Sequence, residues 1–191
     1  MTYVISNILD EIERDAENLD VDISRFSSPN NDDIDFFLKN NAIQFSKLRT
    51  SITYLVSDTE DGSILGYFTL THKALSFSAF GMSNSRLRKL NRYSKLDEKT
   101  GKYTTSAFLI AQLGKNYAIT DGSRISGTDL MQCSIDVLEK IQRLIGGGVV
   151  YLEAEDNSFL RHFYEDEAGF RRFGERIDTV ETRFILYMRL L

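Results

Sequence analysis

The hydrophobic positions near the start of the chain recur at the spacing of an α-helix. Val4, Ile5, Ile8 and Leu9 begin a pattern that predicts an amphipathic helix over residues 4–18, within an N-terminal segment comprising residues 1–20. The opposite face of this helix is acidic. The helix either packs on the protein's own core or acts as an arm that binds a partner.

A second helix is predicted after the turn-forming residues 27–31. Asp32 and Asp33 suit its first turn, because negative charge there interacts favourably with the helix dipole. The apolar face of this helix is formed by Ile34, Phe37, Leu38 and Ile43.

From residue 51 the spacing changes to that of β-strands. Residues 52–56 and 64–70 are apolar runs on either side of the turn-forming residues 58–62, which predicts a hairpin. Residues 82–104 form a basic, polar insertion, and residues 106–113 have the continuous apolar character of a buried strand. The middle of the chain is therefore predicted to contribute three strands to a sheet.

The second half of the chain alternates between helix and strand. Residues 127–145 carry apolar side chains at helical spacing, and three glycines after them predict the end of that helix. Further strands are predicted at 149–153, 170–173 and 182–190, with a short helix beginning at Asn157. The order α-α-β-β-β-α-β-α-β-β predicts a single domain of the α/β class over residues 1–191, built on a mixed sheet.

Charge and composition narrow the possible functions. The chain has 23 basic and 28 acidic residues, and this net charge of −5 argues against a generally basic surface for nucleic acid. Cys133 is the single cysteine, which excludes an internal disulfide and a cysteine-based zinc site and favours a buried free thiol. His72 and His162 are too far apart in sequence to suggest a metal pair, so no metal site is predicted. Because signal-peptide and membrane-helix patterns are absent, we expect a soluble cytoplasmic protein that does not enter a membrane.

The connection between the buried strand and the long helix, residues 111–132, is a candidate anion site. The first turn of a helix has free backbone N–H groups and a partial positive charge, so it can bind a phosphate. Gly127 would allow close approach, and Arg124 would add a charged side chain. The connection contains neither a P-loop nor a dinucleotide-binding glycine pattern, so an ordinary strand–helix connection is the alternative.

Several stretches of the chain, taken in order, carry a family resemblance. Residues 124–129, Arg-Ile-Ser-Gly-Thr-Asp, fit the pattern Q/R-x-x-G-x-G/A except that Asp129 replaces the final small residue. Asn157 and Tyr164 stand seven positions apart, in the pattern N-x-x-x-x-x-x-Y, and Gly169 follows them. The first pattern resembles the pyrophosphate loop, and the second the asparagine–tyrosine run, of the GNAT N-acetyltransferase superfamily.

The front half of the chain extends this resemblance. Residues 26–42 and 52–70 resemble the opening of the GNAT toxins of bacterial toxin–antitoxin pairs, so that the match covers roughly residues 24–190. The interval from Tyr164 to Gly169 is one residue longer than is common in the family. The resemblance implies a GNAT-like acyl-CoA N-acyltransferase fold, with a mostly antiparallel central sheet flanked by helices.

The resemblance also implies an enzyme that moves the acetyl group of acetyl-CoA to a primary amine by direct attack. Main-chain groups of the strand end would bind the pantetheine and the thioester oxygen, and the loop residues would bind the pyrophosphate. The implied cofactor-binding residues are Leu113, Gly114 and Lys115 on the strand, and Arg124, Ile125, Ser126, Gly127 and Thr128 in the loop.

The resemblance gives Tyr164 the role of general acid for the departing CoA thiolate. The alternative is a helix tyrosine that packs on the sheet, as aromatic residues at helical spacing commonly do. Asn157 would act as a helix N-cap, either alone or with a contact to the cofactor as well. Glu153 and Glu155 are candidate bases for the incoming amine, although carboxylates at strand ends are often simply solvated.

The acceptor is open between several classes. Residues 86–102 contain seven basic and two acidic residues, so this segment, with Tyr93 and nearby Tyr103, could hold tRNA and stack a base. The alternative is a solvated loop between two strands. Three hypotheses remain: a small-molecule or protein acetyltransferase, a toxin-type enzyme that acetylates aminoacyl-tRNA, and a non-catalytic domain that binds acetyl-CoA or a partner. The candidate protein partners are an antitoxin, which would favour the toxin-type enzyme, and a second copy of the chain.

Overall fold

The structure, a computed structural model, describes residues 2–29, 31–119 and 125–191. These residues fall into two units, one within Met1–Thr71 and Ile110–Asp136 and the other within His72–Leu109 and Val137–Leu191. Arg124 lies outside the described residues.

The N-terminal segment forms a strand before it forms a helix. β1 (Tyr3–Asn7) pairs antiparallel with β2 (Ile52–Asp58), and α1 (Ile8–Arg25) begins where the Asn7 side chain accepts a hydrogen bond from the Leu9 N–H. The helix predicted over residues 4–18 is therefore wrong over residues 4–7 and ends too early. Pairing with β2 satisfies the backbone groups of residues 3–7, and this tertiary contact outweighs their helical spacing.

The second predicted helix consists of two helices. α2 (Asp32–Asn40) is capped by the Asn31 side chain, which accepts from the N–H groups of Asp33 and Ile34 at 3.1 and 3.3 Å. α3 (Ala42–Lys47) follows and carries Ile43. The Asn40 side-chain amide donates to the Phe36 carbonyl at 2.9 Å. Side-chain bonds of this kind compete with the backbone bonds of a helix and therefore favour helix ends. The core of this unit consists of Ile8, Leu19, Ile23, Phe26, Leu38, Ala42, Leu55, Ile64 and Tyr67.

The predicted hairpin is confirmed. β2 pairs antiparallel with β3 (Ile64–Ser78), with Ile52 opposite Leu70. The segment predicted as an insertion contains α4 (Asn84–Leu90) and a short β4 (Leu96–Asp97), which pairs with β5 (Lys102–Lys115). The segment is therefore not a loop throughout, because it contains α4 and the fully buried Leu90, although most of its residues are exposed to solvent.

The long helix has the predicted bounds. α5 (Gly127–Ile145) ends where Gly146 takes a φ of +77°, a conformation that glycine adopts without steric cost. β6 (Val149–Glu155), α6 (Ser158–His162), β7 (Arg171–Ile177) and β8 (Arg183–Leu190) complete the chain. The core of the second unit consists of Leu75, Phe77, Leu90, Tyr103, Ala107, Val149, Tyr151 and Met188.

The described strands form an eight-stranded sheet in the order β1-β2-β3-β5-β6-β8-β7, with β4 paired to β5. β5 and β6 run parallel, with Phe108 opposite Val150, whereas β6–β8 and β7–β8 are antiparallel. The predicted fold class, a mixed and mostly antiparallel sheet flanked by helices, is confirmed. Over the described ranges, no helix is both long enough and apolar enough to cross a lipid bilayer.

Candidate functional site

In the first unit, the end of β5 has a tightly packed glycine. Gly114 is buried, and a Cβ at this position would meet Cγ2 of Ile34 and lie 2.9 Å from Cε1 of Tyr67. The Tyr67 ring is held in turn, because its hydroxyl donates to the Ile34 carbonyl at 2.7 Å. A side chain at 114 would therefore displace the backbone of Leu113, Gly114 and Lys115, the groups to which the family resemblance gives cofactor binding.

Asn116 fixes the chain just after this strand and was not predicted from the sequence. Its backbone N–H donates to Leu65 O at 2.9 Å, and its amide nitrogen donates to Ile64 O at 2.7 Å. Its amide oxygen accepts from the N–H groups of Ser27 and Ala118, at 3.1 and 3.0 Å. The side chain is buried and uses both ends of its amide, so it holds the strand end in place.

The start of α5 is capped by the Ser126 side chain. The Ser126 hydroxyl donates to Asp129 Oδ2 at 2.6 Å and accepts from the Asp129 N–H at 2.9 Å. Asp129, which departs from the family pattern, is thus engaged by the cap, and Ile125 beside it is buried. The S-x-x-D spacing was present in the sequence as a signal for this cap. The predicted pyrophosphate loop therefore has a structural role at Ser126, while its Arg124 lies outside the described residues.

In the second unit, Asn157 is the N-cap of α6. Its side-chain oxygen accepts from the Leu160 N–H at 2.8 Å, so the cap alternative for Asn157 is confirmed. Cofactor contact by Asn157 stays a prediction.

A π-helical turn, Phe163–Glu167, carries Tyr164. Ala168 N–H donates to Phe163 O at 2.9 Å, and Phe170 N–H donates to Tyr164 O at 2.8 Å across Gly169, whose φ is +72°. A π turn holds one more residue than the equivalent α-helical turn and is frequent at functional sites. It therefore accommodates the extra residue that separates Tyr164 from Gly169 in this sequence.

The Tyr164 ring is packed, and its hydroxyl is not engaged by the described residues. The ring lies 5.0 Å from Phe163, 6.3 Å from Phe170 and 5.3 Å from Tyr187, measured between centroids. Burial, with a smaller contribution from Tyr187, raises the pKa of Tyr164 to about 12. The phenol therefore holds its proton throughout the neutral pH range.

Two other tyrosines of the second unit, Tyr103 and Tyr93, use their hydroxyls in internal hydrogen bonds. The Tyr103 hydroxyl donates to Asn91 Oδ1 at 2.8 Å, and the Tyr93 hydroxyl donates to Leu191 O at 3.4 Å. Tyr103 is 2% exposed, and Tyr93 packs against Gly148. The alternative in which Tyr103 stacks a nucleic-acid base is therefore wrong, because Tyr103 is buried and its hydroxyl is bonded internally, whereas Tyr93 is half-buried.

The basic residues of 86–102 also divide into two groups. Arg86 donates to the carbonyls of Arg171 and Met188, at 3.4 and 3.2 Å, and burial lowers its pKa. Arg86 therefore anchors α4 within the unit. Arg88, Lys89 and Arg92 are exposed and remain available to a partner.

The carboxylates predicted as bases differ in their partners. Glu153 is exposed and forms an ion pair with Arg176, whereas Glu155 is exposed at the end of β6.

His162 pairs with Asp166, with 2.8 Å between Nδ1 and Oδ2. Cys133 is a buried free thiol, as predicted. Within the described part of the chain, no group of three His, Cys, Asp or Glu side chains could hold a metal ion.

The fold is that of the GNAT acyltransferases, so the resemblance drawn from the motifs is confirmed at the level of fold. No protein-family model matches the chain, and no curated protein matches it. Among solved structures, it is similar to AtaT complexed with acetyl-methionyl-tRNAfMet (17% identity, TM-score 0.67, covering 96% of this chain and 94% of that one). It is also similar to a tyrosine-to-phenylalanine variant of KacT (16% identity, TM-score 0.66, covering 98% of this chain and 95% of that one). A third similar structure is AtaTR bound with AcCoA (16% identity, TM-score 0.60, covering 97% of this chain and 92% of that one).

Proposed function

We propose that the chain is an N-acetyltransferase that moves the acetyl group of acetyl-CoA to a primary amine by direct attack. The observation that carries the proposal is Tyr164, whose ring is held by three aromatic neighbours while its protonated hydroxyl has no hydrogen-bond partner among the described residues. The hydroxyl is therefore left available to a ligand, unlike that of Tyr103, which is bonded to Asn91. The neighbouring structure of AtaTR bound with AcCoA supports acetyl-CoA as the co-substrate.

The proposed binding residues are those of the strand end and the loop. Main-chain groups of Leu113, Gly114 and Lys115 would pair with the pantetheine, and one N–H would stabilise the negative charge that develops on the thioester oxygen. Residues 124–128 would hold the pyrophosphate, and Asn157 would add a contact through the amide nitrogen that its capping role leaves over.

In the proposed reaction, Tyr164 donates one proton. The neutral amine attacks the thioester carbonyl and forms a tetrahedral intermediate, which collapses by breaking the carbon–sulfur bond. Tyr164 gives its proton to the departing thiolate, and the acetylated nitrogen loses a proton that restores the phenol through solvent. A phenol whose pKa lies near 12 cannot be the base that activates the amine at neutral pH, so its role is that of the acid.

Aminoacyl-tRNA is the second candidate acceptor. The neighbouring AtaT structure contains acetyl-methionyl-tRNAfMet, and Arg88, Lys89 and Arg92 offer exposed positive charge on and just after α4. Such a cluster would bind the phosphate backbone. An antitoxin is a further proposed partner. One of the similar solved structures is a tyrosine-to-phenylalanine variant of the AtaT toxin, bound to the C-terminus of the antitoxin AtaR.

The test is an acceptor panel. Small amines, peptides with free N-termini and a set of charged tRNAs are incubated with acetyl-CoA and the protein, and both CoA thiol release and acetylated product are measured. Calorimetry on the same folded protein measures acetyl-CoA binding. Turnover with one acceptor supports the proposal and identifies the substrate class. Binding without turnover on any acceptor favours the non-catalytic domain, and absence of binding contradicts both.

A further inference from the structure

Two arginine side chains hold carbonyl groups of the turn that carries Tyr164. Nη1 of Arg171 donates to Glu165 O at 2.5 Å and to Phe170 O at 2.9 Å. Nη1 of Arg189 donates to Ala168 O at 3.0 Å. The last carbonyls of a helix lack partners in the helix itself and carry partial negative charge, so a guanidinium group is a suitable donor for them.

We propose that Arg171 is a positioning residue for Tyr164, with Arg189 in a supporting role; the inference rests on the proposed acid function of Tyr164. Arg171 joins the carbonyl of the residue directly after Tyr164 to the carbonyl of Phe170, whose ring contacts the Tyr164 ring. The Arg171 side chain thereby restrains both the backbone directly after Tyr164 and the residue, Phe170, against which the Tyr164 ring packs. π turns are rare overall but frequent at functional sites, so a side chain that restrains this turn bears directly on the position of Tyr164.

Stability alone does not account for Arg171. Its positive charge lies close enough to Arg86 to help lower the pKa of that guanidinium, so the two cations repel each other. Its side chain is exposed, and exposed charged groups contribute little to folding. A neutral side chain at this position would remove the repulsion, so we expect the protein to stay folded without Arg171.

The experiment compares Arg171→Met with Arg172→Met. Arg172 is the neighbouring exposed arginine, but it pairs with Glu175 and makes no described contact with the turn, so it is the matched control. Arg171→Met should lower kcat about 10-fold or more with KM for acetyl-CoA nearly unchanged, because small displacements of a catalytic group have effects up to about 100-fold. Arg172→Met should leave kcat within about twofold of the parent. Arg171→Lys, which keeps a cationic donor, should recover part of the loss.

A double variant tests whether Arg171 acts through Tyr164. In a Tyr164→Phe background, Arg171→Met should cause no further loss, because the proton whose position it controls is absent. Equal losses in both backgrounds, or no loss in either, would overturn the inference.

A readout that does not need activity separates this inference from the proposed function. Incorporation of 3-fluorotyrosine at position 164 gives a fluorine resonance that reports the ring's surroundings. Arg171→Met should shift or broaden this resonance and Arg172→Met should not. An unchanged resonance overturns the positioning role, whereas a changed resonance in a protein without turnover supports positioning and contradicts only the acid function.

Discussion

Replacement of Tyr164 by phenylalanine is the most direct test of the proposed chemistry. The substitution keeps the ring and its contacts with Phe163, Phe170 and Tyr187, and removes one hydroxyl. Because no described residue hydrogen-bonds to that hydroxyl, no internal hydrogen bond within the described chain is lost. We therefore expect the free energy of unfolding to change by less than about 0.5 kcal/mol.

The effect on turnover should be far larger. If Tyr164 protonates the thiolate, kcat should fall by roughly 10²- to 10⁴-fold, the usual effect of removing a positioned acid. That loss corresponds to about 3–5 kcal/mol of transition-state stabilisation, and the stability of the bound ground state should change far less. Acetyl-CoA affinity measured by calorimetry should therefore change little, while CoA release under saturating acceptor should nearly cease.

Tyr103→Phe is the matched control. It also removes one hydroxyl from a tyrosine, but that hydroxyl is bonded to Asn91 at 2.8 Å in the core. We expect this variant to lose about 1 kcal/mol of stability and to keep its turnover. Unchanged turnover in Tyr164→Phe would leave Tyr164 as a packing residue and refute the acid role.

Three further predictions follow from the geometry. Reversal of Arg88, Lys89 and Arg92 to glutamate should abolish tRNA acetylation and spare acetyl-CoA binding, because phosphate contacts are lost; salt-independent activity of the parent would contradict the tRNA proposal. Gly114→Ala should destabilise the protein by about 1–3 kcal/mol in denaturant titration, since the added Cβ has no room, and an unchanged midpoint would disprove that packing. Ser126→Ala should cost about 1 kcal/mol of stability through loss of the cap; full stability would show that the Ser126 cap contributes nothing.

Local signals in the sequence were sufficient for several parts of the structure. The bounds of α5 follow from apolar side chains at helical spacing and a glycine that stops the helix, and both lie within the segment itself. The Asn157 cap and the β2–β3 hairpin are local in the same sense, because their hydrogen bonds join residues close in sequence. The asparagine–tyrosine spacing identified Tyr164 as a candidate before the surroundings of its ring were known.

The tertiary structure decided what depends on partners far along the chain. Residues 4–7 have the spacing of a helix but belong to β1, because the edge of β2, some fifty residues later, satisfies their backbone. Arg86 and Tyr103 belong to a basic, polar segment in the sequence, yet Arg86 binds the Met188 carbonyl and Tyr103 joins a core that includes Val149. Whether a charged or aromatic side chain is free to bind a ligand depends on which of its potential partners the fold brings within reach. Residue type and spacing specify only the chemistry that such a side chain could perform.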